Sequence, residues 1–295
     1  MARPVIVEVA LNGAAPKRLN PRAPHGVEEV AADGIACLDA GAAVVHNHNR
    51  EPVLGSPAAH DPAPYIEAWR RIRAHHPQAI FYPTMGGGAP GLTMETRYSH
   101  VEAIAAAGEL DMGLVDPGTT NIGRFDGAGL PRSDDAVYQN TYRDAVYQVE
   151  TCRRLGVGMS VSIFEPGFVR FLLGYLEAGR LPPGAFVKFY FGAPRAGFGL
   201  PPTPTALAAY LEMIEPYGLP WLVSLQGGDV VASGLAEHAL DRGGHVQVGL
   251  EPAMDPARTN VEIVREMVAL VARKGMRVAS CAEARAIIGL ARRAA

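Results

Sequence analysis

The sequence predicts a TIM (β/α)8 barrel, and three observations predict it. Eight short apolar runs rich in β-formers alternate with longer stretches of helical period. A chain of 295 residues is long enough for eight such βα units. The clusters Pro16 to Pro24, Gly86 to Gly91 and Pro194 to Pro204 each follow a strand, as βα loops do. A doubly wound open sheet is the alternative arrangement of the same alternation. No linker, repeat or low-complexity segment interrupts residues 1–295, which are read as one domain.

The strands are placed at Val5 to Leu11, Ala43 to His48, Ile80 to Pro83, Leu110 to Val115, Val157 to Phe164, Phe186 to Phe191, Trp221 to Leu225 and Val246 to Leu250. Helical stripes lie between them, for example Val27, Val30, Ala31, Gly34 and Leu38, then Ile66, Trp69 and Ile72. Hydrophobic content of 48% supports a large core. A net charge of -3 excludes a dominant electrostatic footprint for nucleic acid. Cys37, Cys152 and Cys281 are too scattered for a disulfide framework or a thiolate zinc site. With no apolar signal core and no run near the roughly 18 residues of a membrane span, a soluble cytoplasmic protein is expected.

Side chains alternate between the faces of a strand, so each strand divides into helix-facing and barrel-facing residues. Strand one turns Ile6, Glu8, Ala10 and Asn12 inward; strand five Ser160 and Ser162; strand six Lys188 and Tyr190; strand seven Ser224 and Gln226; strand eight His245, Gln247, Gly249 and Glu251. Buried ionisable groups cost several kcal/mol unless paired, so Glu8 and Lys188 are expected to approach one another. Such a pair is either structural or an acid/base device.

Active sites of this fold lie at the carboxyl ends of the strands. His46 and His48 end strand two at spacing i, i+2, on one side and about 7 Å apart along the chain. Glu251 ends strand eight, and strands two and eight flank strand one in a closed barrel. The three can converge on one cation; two imidazoles and a carboxylate suit zinc, with manganese, iron or cobalt as alternatives. The glycine run of Thr84-Met85-Gly86-Gly87-Gly88 offers backbone N–H groups to a carboxylate or phosphate. Arg50 and Arg195 either pair with an acidic substrate or stay solvated. Asp116 ends strand four, as a base, a recognition group or an Asp-Pro turn.

Several segments in order along the chain resemble the β-keto acid cleavage enzymes. They are Asn12-Gly13-Ala14, Ala40-Gly41-Ala42 leading into His46-Asn47-His48, Thr84-Met85-Gly86-Gly87, Gly118-Thr119-Thr120-Asn121, Glu165-Pro166-Gly167, Gly192-Ala193-Pro194, and Gly243-Gly244-His245 through Gly249-Leu250-Glu251. The resemblance implies a TIM barrel with a zinc ion that exchanges acyl groups between a small β-keto acid and acetyl-CoA, and a homo-oligomer, a tetramer. It assigns the metal to His46, His48 and Glu251, and the keto-acid carboxylate to Thr84, Gly86 and Gly87. The chain departs from the pattern at Pro252 and Gln247, where the family carries an Asp and an Arg that activate substrate, and at Ala15 and Asp116, where it carries a Glu and an Asn. Gln247 and Asp116 are then expected among the substrate-binding residues, and Glu8, Lys188 and Asp116 are the substitute acid/base candidates. A metal-dependent hydrolase or aldolase-type lyase, a Schiff-base lyase using Lys188 and a binding protein without turnover are the competing readings.

Overall fold

The computed structural model describes residues 2–13, 16–49, 60–86, 91–132 and 137–293. Eight parallel strands carry the architecture: β1 (Val7–Ala10), β2 (Val44–Asn47), β3 (Ile80–Pro83), β4 (Met112–Val115), β5 (Gly158–Ile163), β6 (Ala185–Gly192), β7 (Trp221–Gln226) and β8 (His245–Val248). Their order is β3-β2-β1-β8-β7-β6-β5-β4. The two ends of that order meet, because the Asp111 N–H donates to the Phe81 carbonyl at 3.3 Å beside the seam between β3 and β4. The result is a nearly closed TIM barrel.

The helices are α1 (Gly26–Asp39), α2 (Ala63–His75), α3 (Met94–Ala106), α4 (Tyr142–Leu155), α5 (Pro166–Glu177), α6 (Pro204–Ile214), α7 (Leu235–Asp241), α8 (Leu250–Ala253), α9 (Asn260–Arg273) and α10 (Cys281–Ile288). The stripe read from the sequence is the face α1 buries, through Val30, Ala31, Gly34 and Leu38. Trp69 and Ile72 do the same on α2. Three helices start with a capping box, at Thr141, Thr259 and Ser280, whose hydroxyls accept from the third backbone N–H.

Strands two and four to seven differ from the sequence reading by one or two residues at an end, and the first and last differ in ways that bear on the site. The first predicted strand splits: Pro4–Val5 pair with Arg277–Val278 instead of entering the barrel sheet. The last ends at Val248, because Gly249 takes φ +123 and a Cβ there would sit 2.2 Å from the Ala10 carbonyl oxygen. Glu251 therefore projects from the single turn of α8 and not from a strand. A long arm follows β4, in which Thr120–Asn121 pair with Val137–Tyr138 and Arg124–Phe125 with Pro131–Arg132.

Candidate metal centre and substrate shelf

His46 and His48 leave β2 on one side of the barrel mouth, as alternation requires. Register places His46 between Ala10 of β1 and Tyr82 of β3. The Nδ1 of His46 lies 3.2 Å from the Tyr82 carbonyl, which can only accept, so Nδ1 carries the proton and Nε2 keeps its lone pair for the mouth. The ring stacks on Tyr82 at 4.4 Å. His48 is fixed through its backbone: Asn12 Oδ1 accepts its N–H at 2.7 Å and Asn12 Nδ2 donates to its carbonyl at 3.0 Å.

Glu251 meets both rings. Its Oε2 is 3.4 Å from His46 Nε2 and its Oε1 is 3.4 Å from His48 Nε2. One ligand atom from each residue lies within 4.8 Å of the others. Gly13 permits this approach: it holds φ +57, and a Cβ there would come within 2.5 Å of Glu251 Cγ. Asn260 Oδ1 accepts the Leu250 N–H at 2.8 Å while its amide donates to Leu11, so α8 is tied to the end of β1. Burial holds the His46 imidazolium down to about 3, so the ring is neutral at physiological pH. Burial pushes the Glu251 carboxyl up, but the two imidazoles outweigh it and hold it at about 2. The neutral His46 ring and the His48 ring beside an ionised carboxylate, with Glu251 Oε2 lacking a hydrogen-bond partner, suit a divalent cation. The donor set fits a bound metal ion.

Beneath the triad, Glu8 and Lys188 meet as expected, Nζ to Oε1 at 2.7 Å, both essentially without solvent exposure. Lys188 also donates to the Tyr82 hydroxyl, and Tyr82 donates to Glu8. Gln247 Nε2 donates to the same Glu8 oxygen at 2.6 Å. Oε1 thus takes three donors, which offsets the desolvation of the pair, while Glu8 Oε2 has none. Gln247 is held inside the barrel by Glu8. Pro252 is buried, and its carbonyl accepts from the Gly227 N–H at 2.8 Å.

Next to β2 around the mouth comes the shelf after β3. Thr84 is partly exposed and its carbonyl takes His100 Nε2 at 2.8 Å; the Gly86 carbonyl takes Arg97 Nε at 3.0 Å. Gly87, Gly88, Arg50 and Ala15 lie outside the described residues. Asp116 follows β4, 2% exposed, with its N–H on Gln148 Oε1 at 2.8 Å and its Oδ2 accepting from Tyr138. Its Oδ1 has no partner, and burial pushes its carboxyl up. Arg195, on the loop after β6, is exposed.

Three residues of this end were missed from sequence. Tyr82 was legible by alternation in β3, where it shares a face with Ile80. Arg97 was legible as a cation on the apolar stripe of α3, among Met94, Tyr98, Val101 and Ile104. Tyr138 comes from the arm, and no local pattern points to it.

The β-keto acid cleavage enzyme family matches residues 4–290. The chain belongs to this family. It is 28% identical to the 3-keto-5-aminohexanoate cleavage enzyme of Acetoanaerobium sticklandii, over 98% of this chain and 99% of the relative. It is 26% identical to the 3-oxoadipate:acetyl-CoA acetyltransferase of Cupriavidus necator, over 98% and 96%. Among solved structures, a ternary complex of ObcA with a C4-CoA adduct and oxalate superposes with a TM-score of 0.68 at 17% identity, over 92% of this chain and 68% of that one. That likeness concerns the barrel. Family membership makes the chain an enzyme of the β-keto acid cleavage kind, and the carboxyl end of its barrel is where that chemistry is to be sought. No described helix is long and apolar enough to cross a membrane.

Proposed function

We propose that the protein exchanges acyl groups between a small β-keto acid and acetyl-CoA at a zinc ion held by His46, His48 and Glu251. The observation that carries this reading is the convergence of the three donors at the mouth of the barrel. The acetyl-CoA co-substrate is supported by the name of the Cupriavidus necator relative. A divalent cation bound there would supply Lewis-acid polarisation of the 3-keto oxygen.

The chain's own residues do the rest. The Thr84 hydroxyl and the glycine backbone after it hold the substrate carboxylate and orient the ketone. Asp116 takes a proton on its open Oδ1, and burial has already raised its basicity. Lys188 stays paired with Glu8 and acts as a fixed counter-charge under the site, with Gln247 holding the same carboxylate. A Schiff base would need the neutral amine of Lys188 released from both Glu8 and Tyr82, which speaks against that reading.

The test is metal content by elemental mass spectrometry, for the purified protein beside the His46→Ala/His48→Ala double variant. About one zinc per chain that vanishes in the variant is the expected result, followed by loss of keto-acid turnover with acetyl-CoA by at least about a thousandfold. Absence of bound metal from both proteins would overturn the proposal.

A further inference from the structure

Arg97 is a buried guanidinium without a carboxylate. It is 3% exposed, on the inner face of α3, and no Asp or Glu among the described residues forms an ion pair with it. Its Nε donates to the Gly86 carbonyl at 3.0 Å, its Nη1 to the Gln139 carbonyl at 3.0 Å, and its Nη2 is buried with no partner. The buried Arg285 and the partly buried Arg73 differ in kind: both reach the Asp111 carboxylate. Burying a cation without its counter-ion costs several kcal/mol, so the charge is expected to have another use.

We propose that Arg97 is the positioning residue that makes the shelf after β3 selective for an anion. This rests on the reading of that shelf as the carboxylate site. The guanidinium acts through its charge, which its hydrogen bond holds beside the Gly86 carbonyl at 3.0 Å. Asp116 lies within reach of its field without forming an ion pair with it, so the guanidinium adds a positive potential in a site of low dielectric, where screening is weak. The same fork ties the shelf to the arm at Gln139, next to the Tyr138 that holds Asp116, and lies 5.8 Å over the Tyr138 ring. Substrate carboxylate, shelf and arm are thus coupled through one side chain. A neutral ligand of the same shape gains the fit of the shelf but not the charge.

The experiment is calorimetric binding of acetoacetate and of its neutral amide, acetoacetamide, to the full chain and its variants. The wild type is expected to favour the acid. In Arg97→Gln the acid loses about tenfold or more in affinity, as loss of about 1.4 kcal/mol of charge attraction implies, while the amide is unchanged. Arg97→Lys, which keeps the charge and loses the fork, restores the preference for the acid. An equal loss for acid and amide in Arg97→Gln overturns the inference and leaves a structural clamp. Should Arg97→Gln fail to fold, Arg97→Lys decides: it is expected to keep the wild-type preference for the acid, and acid and amide bound alike overturns the inference. A wild type that binds neither probe overturns the carboxylate reading of the shelf itself, a result separable from any outcome in the variants.

Discussion

The two ends of the barrel bury charge in opposite ways. At the amino end, Asp111 accepts from Arg73 at 2.7 Å, Arg285 at 2.5 Å, Arg293 at 3.1 Å and the Phe81 N–H at 2.9 Å. Glu109 joins through Arg70 and Arg73. Both carboxylate oxygens of Asp111 are taken. At the carboxyl end, Glu251 Oε2, Asp116 Oδ1 and Arg97 Nη2 are buried with no hydrogen-bond partner. A folded chain satisfies its buried polar groups unless something else will. The saturated end is therefore architecture, and the unsaturated end awaits ligands.

The largest effect that would break this contrast is expected from Asp111→Ala. It strands the buried Arg285 guanidinium, while Arg73 keeps Glu109, a change of about 3–5 kcal/mol for a broken buried pair. In a chain of this size that is a fall in melting temperature of about 10 °C. Thermal unfolding followed by circular dichroism measures it, and the metal content proposed for the folded fraction should not change. A variant that lost metal with little change in melting temperature would erase the distinction between the ends.

Gly13→Ala probes the other end with a smaller effect. The added methyl displaces Glu251 and must adopt a positive φ, which together cost about 1–3 kcal/mol of strain. Metal affinity, measured by competition with a chelating dye, should fall about tenfold or more. Occupancy equal to wild type would show that Glu251 is free to move.

The smallest effect is on acid stability. Burial holds His245 at about 3 and His100 at about 4, so both are neutral when folded. Unfolded, they protonate near 6.5, and the unfolded state binds more protons between those values. Stability of the metal-free protein therefore rises with pH from about 3 to 6.5. His245→Gln should flatten part of that slope in melting curves taken at several pH values. An unchanged slope would mean that His245 is not buried neutral.

Much of this was legible before any coordinates. The barrel follows from two periods, two residues in strands and 3.6 in helices, and the triad follows from the first of these at His46 and His48. The Glu8–Lys188 pair was legible for the same reason. The end of β8 was not, because it depends on how closely Gly249 passes the Ala10 carbonyl, a contact across two strands. The Asp111 cluster was invisible for a related reason. Its arginines come from α2, α10 and the segment after it, and no spacing along the chain links them.

The clasp at Asp111 also sets an order of events. The seam between β3 and β4 is where the sheet must close on itself, and its side-chain bridge runs to Arg285, 174 residues further along the chain. A nascent chain that has extended only through β8 holds every strand yet lacks the helix that fastens the first half of the barrel. Phe81 and Arg73 can hold Asp111 from within the first half of the chain, on Oδ2, whereas the partners of Oδ1 arrive only with α10 and the segment after it. The clasp is thus completed last, by the part of the chain made last.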